Sequence, residues 1–458
     1  MIHLLEKLIA GIWNRLKKRG GRVREERGTL DLGFHIADGQ VTKRHLVLSN
    51  SRRAMHIGIL GKTGSGKSFA MRHAAEQDIE AGRGFVFFDF HGDAIEFLLR
   101  VINSLERKLR KHLSNKLILI DPTDPIVSVG FNPLEGAGES FIRITEFTQV
   151  LRQRWSLDHF GARTDELLRN TLYALSANGL TLLELSLFLT HAGFRASCLK
   201  KVMNLEIRQY FELRYDQLSE AMRATMREPI LNKISAFTAD PHFRHIVGQE
   251  RSTFSVREAM DEGYWIIVNL TKGKLGEQAP TLGSLIFTVI KNAIFTREKR
   301  SLFTLYCDEI QNLVAFGSSI ETILSEARKF GVAIFSANQF LDQYPPEMRA
   351  AILALGTHAF FQLSSADANQ VAQALDGGKP LAERLKNLRQ RHCIVKTGAE
   401  RWIEVRIPTI QDPKVDYTDL LTRSRYQWGR VRSQIEKDIA KRQAVADRKT
   451  EEVLNDWE

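Results

Sequence analysis

Cysteine is scarce: Cys198, Cys307 and Cys393 are the only three in 458 residues. They stand far apart and without metal-ligand spacing. That excludes a disulfide framework and a zinc finger, and it fits the reduced thiols of a cytosolic chain. No apolar run approaches the ~18 residues that crossing a bilayer takes. No small-residue cleavage site makes the N-terminus a secretion signal. The expected location is therefore the cytoplasm, with the inner face of the cell membrane as the furthest alternative. Proline is also sparse, at 11 residues, and with 31 glycines it leaves little room for long disordered stretches. Internal repeats, low-complexity tracts, RNA-binding signatures and basic stripes interleaved with aromatics are all missing. Their absence excludes a repeat architecture and a module that reads nucleic-acid sequence.

What is present describes a folded chain too long for one ordinary core, so two or three domains are expected. Lysine and arginine exceed aspartate and glutamate by 11. That balance favours a polyanionic partner, either nucleic acid or an anionic membrane surface. At the N-terminus, Ile2, Leu5, Ile9, Ile12, Trp13 and Leu16 share one helical face, and Arg15, Lys17, Lys18, Arg19 and Arg22 form a basic cluster. Residues 1–22 thus read as an amphipathic helix, lying on acidic lipid as a peripheral contact or packing on protein.

From about residue 54 the pattern becomes strand, turn, helix, repeated. Short apolar runs suited to buried parallel strands occur at 55–60, 84–90, 116–121, 263–270, 302–308, 331–336 and 357–363. Strands buried on both faces and joined by helices imply an α/β fold with a mostly parallel, doubly wound sheet. From about 138 to 255 the pattern is helical, punctuated by Gly179, Gly193 and Pro229, as an inserted all-α domain would be. The expected organisation is a basic N-terminal helix at 1–25, a first part of the α/β domain at 26–137 and the helical insertion at 138–255. A second α/β part follows at 256–412, then a charged helical tail at 413–458 that reads as a solvated face.

The strongest local signal is Gly61-Lys62-Thr63-Gly64-Ser65-Gly66-Lys67-Ser68, a complete phosphate-binding loop placed after an apolar run and before a helical segment. Glycines there let backbone N–H groups wrap phosphates. Lys67 is expected to reach the β- and γ-phosphates of ATP, and Ser68 to hold Mg2+. A second acidic element is needed, and 301–309 supplies a buried strand ending in Asp308 and Glu309. Asp308 fits the magnesium shell through water. Glu309 fits the general base for the attacking water, which argues for hydrolysis over simple nucleotide holding.

Further candidates follow the next strand, which ends in Ser336, Asn338 and Gln339. Gln339 is the choice for sensing the γ-phosphate, with a capped helix start as the plainer reading. Arg328 is a candidate arginine finger for a neighbouring subunit, and Arg297 a second. Asp89, His91 and Asp93 end the second strand; Asp89 either faces the nucleotide or orders its loop. Lys272 and Lys274, after the strand at 263–270, are candidate DNA phosphate contacts.

These motifs in this order resemble the HerA/FtsK superfamily of P-loop ATPases. The chain looks most like type IV secretory, conjugative DNA transfer proteins of the TraG/TraD coupling type. The residues carrying the likeness are 56–68, 88–99, 129–135, 266–277, 305–312 and 324–340, with 424–439 similar to a late segment of those proteins. The resemblance implies a RecA-like fold and a homo-oligomer, a hexameric ring, that hydrolyses ATP between subunits and pumps DNA. It implies a relaxase, secretion or nuclease partner. Two departures stand out. Coupling proteins usually carry N-terminal transmembrane helices, and the family commonly has proline where Phe90 stands. The missing spans leave room for a HerA-like pump in plasmid processing, genome packaging or phage defence. The competing class is an ATPase switch that times assembly of a protein complex or secretion machinery without moving DNA.

Overall fold

The computed structural model describes residues 30–105, 114–136, 139–157, 161–314, 320–344 and 346–455. The expected helix at 1–25 lies outside them. Every apolar run read as a strand is one: β3 (Ile57–Leu60), β4 (Phe85–Asp89), β5 (Leu117–Ile120), β7 (Trp265–Asn269), β8 (Phe303–Asp308), β9 (Val332–Asn338) and β10 (Thr357–Phe360). They pair in parallel in the order β10-β3-β9-β8-β4-β7-β5. Their unbroken hydrophobicity has a direct cause. On β4, Val86 and Phe88 join the core on one face and Phe85 and Phe87 the core on the other. With both faces covered, period-two alternation carries no polar positions.

Strands β1 (Leu30–Ala37), β2 (Gln40–Leu48), β11 (His392–Thr397) and β12 (Ile403–Arg406) were not anticipated. They extend the sheet to eleven strands by antiparallel pairing, in the order β2-β1-β12-β11-β10. β2 is mostly exposed, which explains why its polar sequence did not read as a strand. The small β6 (Val127–Val129) pairs with β13 (Gly429–Val431) in a separate ribbon.

Helices of ten residues or more among the described residues are α1 (Lys67–Glu80), α2 (Asp93–Ser104), α3 (Ser140–Arg154), α4 (Gly161–Ala177), α5 (Glu220–Thr238), α6 (Ala279–Phe295), α7 (Ser365–Ala374), α8 (Thr418–Trp428) and α9 (Arg432–Asn455). Between β6 and β7 the described elements are all helical. This segment is continuous with one sheet face, since Phe147 and Leu167 share a core with Phe88 and Leu285. Pro229 does not punctuate it. α5 runs through the proline, carried by the buried face of Met226, Ile230, Ile234 and Phe237. Nor is the C-terminal helix only a solvated face. Ile435 and Ile439 of α9 are buried against Leu183, and Arg442 pairs with buried Glu184.

A buried polar cluster locks α1 to β8. Asp78 of α1 accepts from Arg53 at 2.7 Å, Arg83 at 2.6 Å, Tyr306 Oη at 2.7 Å and Thr304 Oγ1 at 3.1 Å. Burial alone would raise the Asp78 carboxyl, but Arg53 and Arg83 outweigh it and hold it below the usual range. The helix that opens with Lys67 is thereby held on the strand that ends in Asp308.

Candidate nucleotide site

The parallel strands all point their C-terminal ends to one edge, where α/β sheets bind ligands. β3 leads there into the loop 61–66 and then into α1. The loop depends on two tight approaches. A Cβ on Gly61 would sit 2.6 Å from Phe361 Cβ, and Gly66, at φ +119°, would place one 3.0 Å from Arg391 Cα. Lys67 Nζ donates to the carbonyls of Gly61 at 2.6 Å and Lys62 at 3.0 Å. Burial lowers its pKa, against the opposing pull of Asp308 and Glu309.

β8 delivers Asp308 and Glu309 beside this loop. Burial pushes the Asp308 carboxyl up to about 6; Glu309 and Asp89 add to the shift, while His91 and Lys67 oppose it. Glu309 takes left-handed backbone, φ 52° and ψ 56°, which is uncommon outside glycine. Strain of this kind tends to collect at functional sites. The conformation is fixed by Glu309 N donating to Ala337 O at 2.8 Å. Gln339 bridges the two elements. It accepts from Thr63 Oγ1 at 3.0 Å and donates from Nε2 to Glu309 Oε1 at 3.3 Å. A hollow of about 320 Å³ is lined by Thr63, Lys67, Ser68, Asp308, Glu309 and Gln339. A larger one, about 540 Å³, lies in the helical segment between Phe141, Arg169 and Tyr210, and it contains no phosphate-binding element.

Several sequence candidates sit differently from expectation. Asp89 orders its loop: its carboxylate accepts from the backbone N–H groups of His91, Gly92 and Ala94 at 2.8–3.0 Å. The neighbour that faces the site is His91, whose Nε2 lies 3.8 Å from Glu309 and 4.0 Å from Asp308. Arg297 is no finger. It is buried, pairs with Asp261 at 3.1 Å and donates to the carbonyls of Phe330, Ser301 and Met260. Arg328 precedes β9 at the opposite edge of the sheet, exposed beside a hollow lined by His56 and Leu355. Lys272 does not stand free: its Nζ lies 3.1 Å from Glu309 Oε2. Lys274, two residues on, is exposed.

Sequence reasoning passed over two residues. Asn312 donates to Glu309 Oε2 at 2.7 Å, a contact that its position three residues after Glu309 could have suggested. Arg154, the last residue of α3, donates to Ser284 Oγ at 2.8 Å and to Asn312 O at 2.6 Å, clamping the turn that carries Glu309. Nothing in the local sequence marks it.

Residues 32–274, more than half of the chain, match the family model of the central domain of the helicase HerA. The chain belongs to the HerA family. The match takes in the phosphate loop and the helical segment, and the Asp308–Glu309 strand lies beyond it. Among solved structures, the fold is similar to plasmid coupling protein TrwB in complex with ADP and Mg2+, at 15% identity and TM-score 0.61 over 85% of this chain and 97% of that one. TrwB with a non-hydrolysable ATP analogue gives 16% identity and the same 0.61, over 87% and 98%. VirB4 of Thermoanaerobacter pseudethanolicus gives 14% and 0.55, over 84% and 97%. At these identities the likeness shows a shared α/β P-loop ATPase fold. No curated protein matches the chain at a significant level. No helix among the described residues is long and apolar enough to cross a membrane.

Proposed function

We propose that this HerA-family chain is an ATP-driven DNA translocase working as a homohexameric ring. The observation that carries the reading is the convergence of Lys67, Ser68, Asp308, Glu309 and Gln339 on one hollow at the C-terminal edge of the sheet. The Asp308 carboxyl and the Ser68 hydroxyl, lining the same hollow, are a hard-oxygen donor set that fits Mg2+. Lys62, Thr63, Gly64, Ser65, Gly66 and Lys67 would hold the phosphates of ATP, and Ser68 and Asp308 the metal, Asp308 through water. Bound there, Mg2+ would supply charge neutralisation for the phosphoryl group. Glu309 takes the proton of the attacking water, and Gln339 ties that carboxylate to the phosphate loop.

Arg328 lies across the sheet from its own site, so it serves as a finger only for a neighbour. On that reading ATP sits between subunits. The helical segment at 138–255 is an insertion in the ATPase domain that packs on the sheet face opposite α1. Lys272 and Lys274 offer phosphate contacts near the site, and net charge +11 favours a polyanion. The similar folds include a plasmid coupling protein and VirB4, which supports a role in DNA transfer; a relaxase, secretion or nuclease protein would be its partner.

The test is steady-state ATP hydrolysis at low salt, with and without single- or double-stranded DNA, for wild type and Glu309→Gln. The expected result is DNA-stimulated hydrolysis, weakened by added salt and lost in the variant. Hydrolysis that is variant-sensitive but indifferent to DNA would put the protein-assembly switch in front.

A further inference from the structure

The Glu309 carboxylate is engaged on both oxygens. Oε2 accepts from Asn312 Nδ2 at 2.7 Å and Lys272 Nζ at 3.1 Å, and Oε1 accepts from Gln339 Nε2 at 3.3 Å. A general base must offer a lone pair to water, and a carboxylate paired with an ammonium is a poor acceptor. Three donors occupy three of its roughly four lone-pair sites, and only the ammonium brings a positive charge that competes with the water's proton.

The three donors are not equivalent. Asn312 belongs to the same turn as Glu309 and moves with it. Gln339 is pinned on its other side by Thr63. Lys272 comes from the end of β7, its side chain is 42% exposed, and its other contact is the face of Phe90, 5.4 Å from Nζ. Nor does its loop need the side chain. Thr271 Oγ1 donates to Asn269 Oδ1 at 2.6 Å, Lys272 N donates to Phe90 O at 3.1 Å, and Leu275 is buried. The ammonium is thus spent on Glu309, not on holding the backbone.

We propose that Lys272 is a releasable tether on Glu309, drawn off by a phosphate oxyanion, so that hydrolysis accelerates when the tether lets go. This rests on the reading of Glu309 as the base. Two sources present that chemistry: a DNA backbone running past the exposed Lys272 and Lys274, and the terminal phosphate of ATP in the hollow. Lys272 is a positioning residue, acting through Glu309 with no bond made or broken of its own.

The experiment is steady-state ATP hydrolysis by the full chain for wild type, Lys272→Met, Lys272→Arg and Glu309→Gln, with and without DNA. Lys272→Met should raise the DNA-free kcat about three- to fivefold, the weight of a half-exposed ion pair, with KM unchanged. Lys272→Arg should raise it less than Lys272→Met, because a guanidinium keeps the pairing. A raised basal rate that DNA stimulates no further supports the tether and names DNA as the releasing phosphate. Retained stimulation on a raised basal rate supports it and names the nucleotide. A basal kcat at or below wild type overturns the tether. Glu309→Gln keeps the two failures apart: if it hydrolyses ATP normally, the base assignment is what fails.

Discussion

Two ion pairs on the same sheet make opposite uses of the same chemistry. Arg53–Asp78 is buried between α1 and β8, with side chains 1% and 0% exposed, and Asp78 has four donors in place. Lys272–Glu309 sits at the C-terminal edge, 42% and 11% exposed, and its cation has no second anchoring bond from the loop's backbone. The first is a fastening: four donors converge on Asp78 in the interior, and losing Asp78 strands the buried Arg53. The second is poised, on a strained residue next to a carboxyl that burial has raised. Burial of the cation separates scaffold from chemistry here; residue type does not.

The comparison breaks most sharply at Asp78. Replacing it with alanine strands Arg53 in the interior and should cost about 3–5 kcal/mol, read as a lower midpoint in urea unfolding. A loss below about 1 kcal/mol would mean the cluster is no fastening. Glu309→Gln should do the reverse. We expect kcat to fall about a hundredfold or more, while nucleotide binding and the unfolding midpoint hold, the latter within roughly 0.5 kcal/mol.

A smaller effect comes from His56 at the opposite edge. Its Nε2–H donates to Leu324 O at 2.9 Å, and its Nδ1 accepts from Ile334 N at 3.0 Å, so only the neutral ring fits. Burial lowers its pKa to about 4, and Arg328 adds to the shift. The unfolded chain takes up that proton from about pH 6.5 downward, and the folded chain not until about 4. Stability is therefore whole above about 6.5 and falls as the pH drops. Wild type should lose about 1 kcal/mol more than His56→Gln between pH 7 and 5.5, by thermal or urea unfolding. Parallel pH profiles would remove this pin from the scaffold.

Legibility followed sequence distance. The loop 61–68, the Asp308–Glu309 pair and the parallel strands were visible because each is written in one short run. The antiparallel strands were not, since β2 is half-polar and draws its order from pairing with β1. The pairing of Lys272 with Glu309 and that of Arg154 with Asn312 were missed because the partners lie 37 and 158 residues apart in the chain. Asp89 and His91 were seen together, but only the turn geometry shows which one faces the site. Arg297 and Arg328 look alike in sequence, and burial alone tells the fastening from the exposed residue.

The proposed function requires that hydrolysis at Glu309 move DNA. Its most direct test is displacement of a third strand annealed to duplex DNA, or of streptavidin from the end of a biotinylated single strand. Displacement by wild type with ATP and Mg2+, absent with a non-hydrolysable analogue and absent for Glu309→Gln, is the predicted result. Brisk ATP hydrolysis on both DNA forms with neither obstacle removed would contradict it.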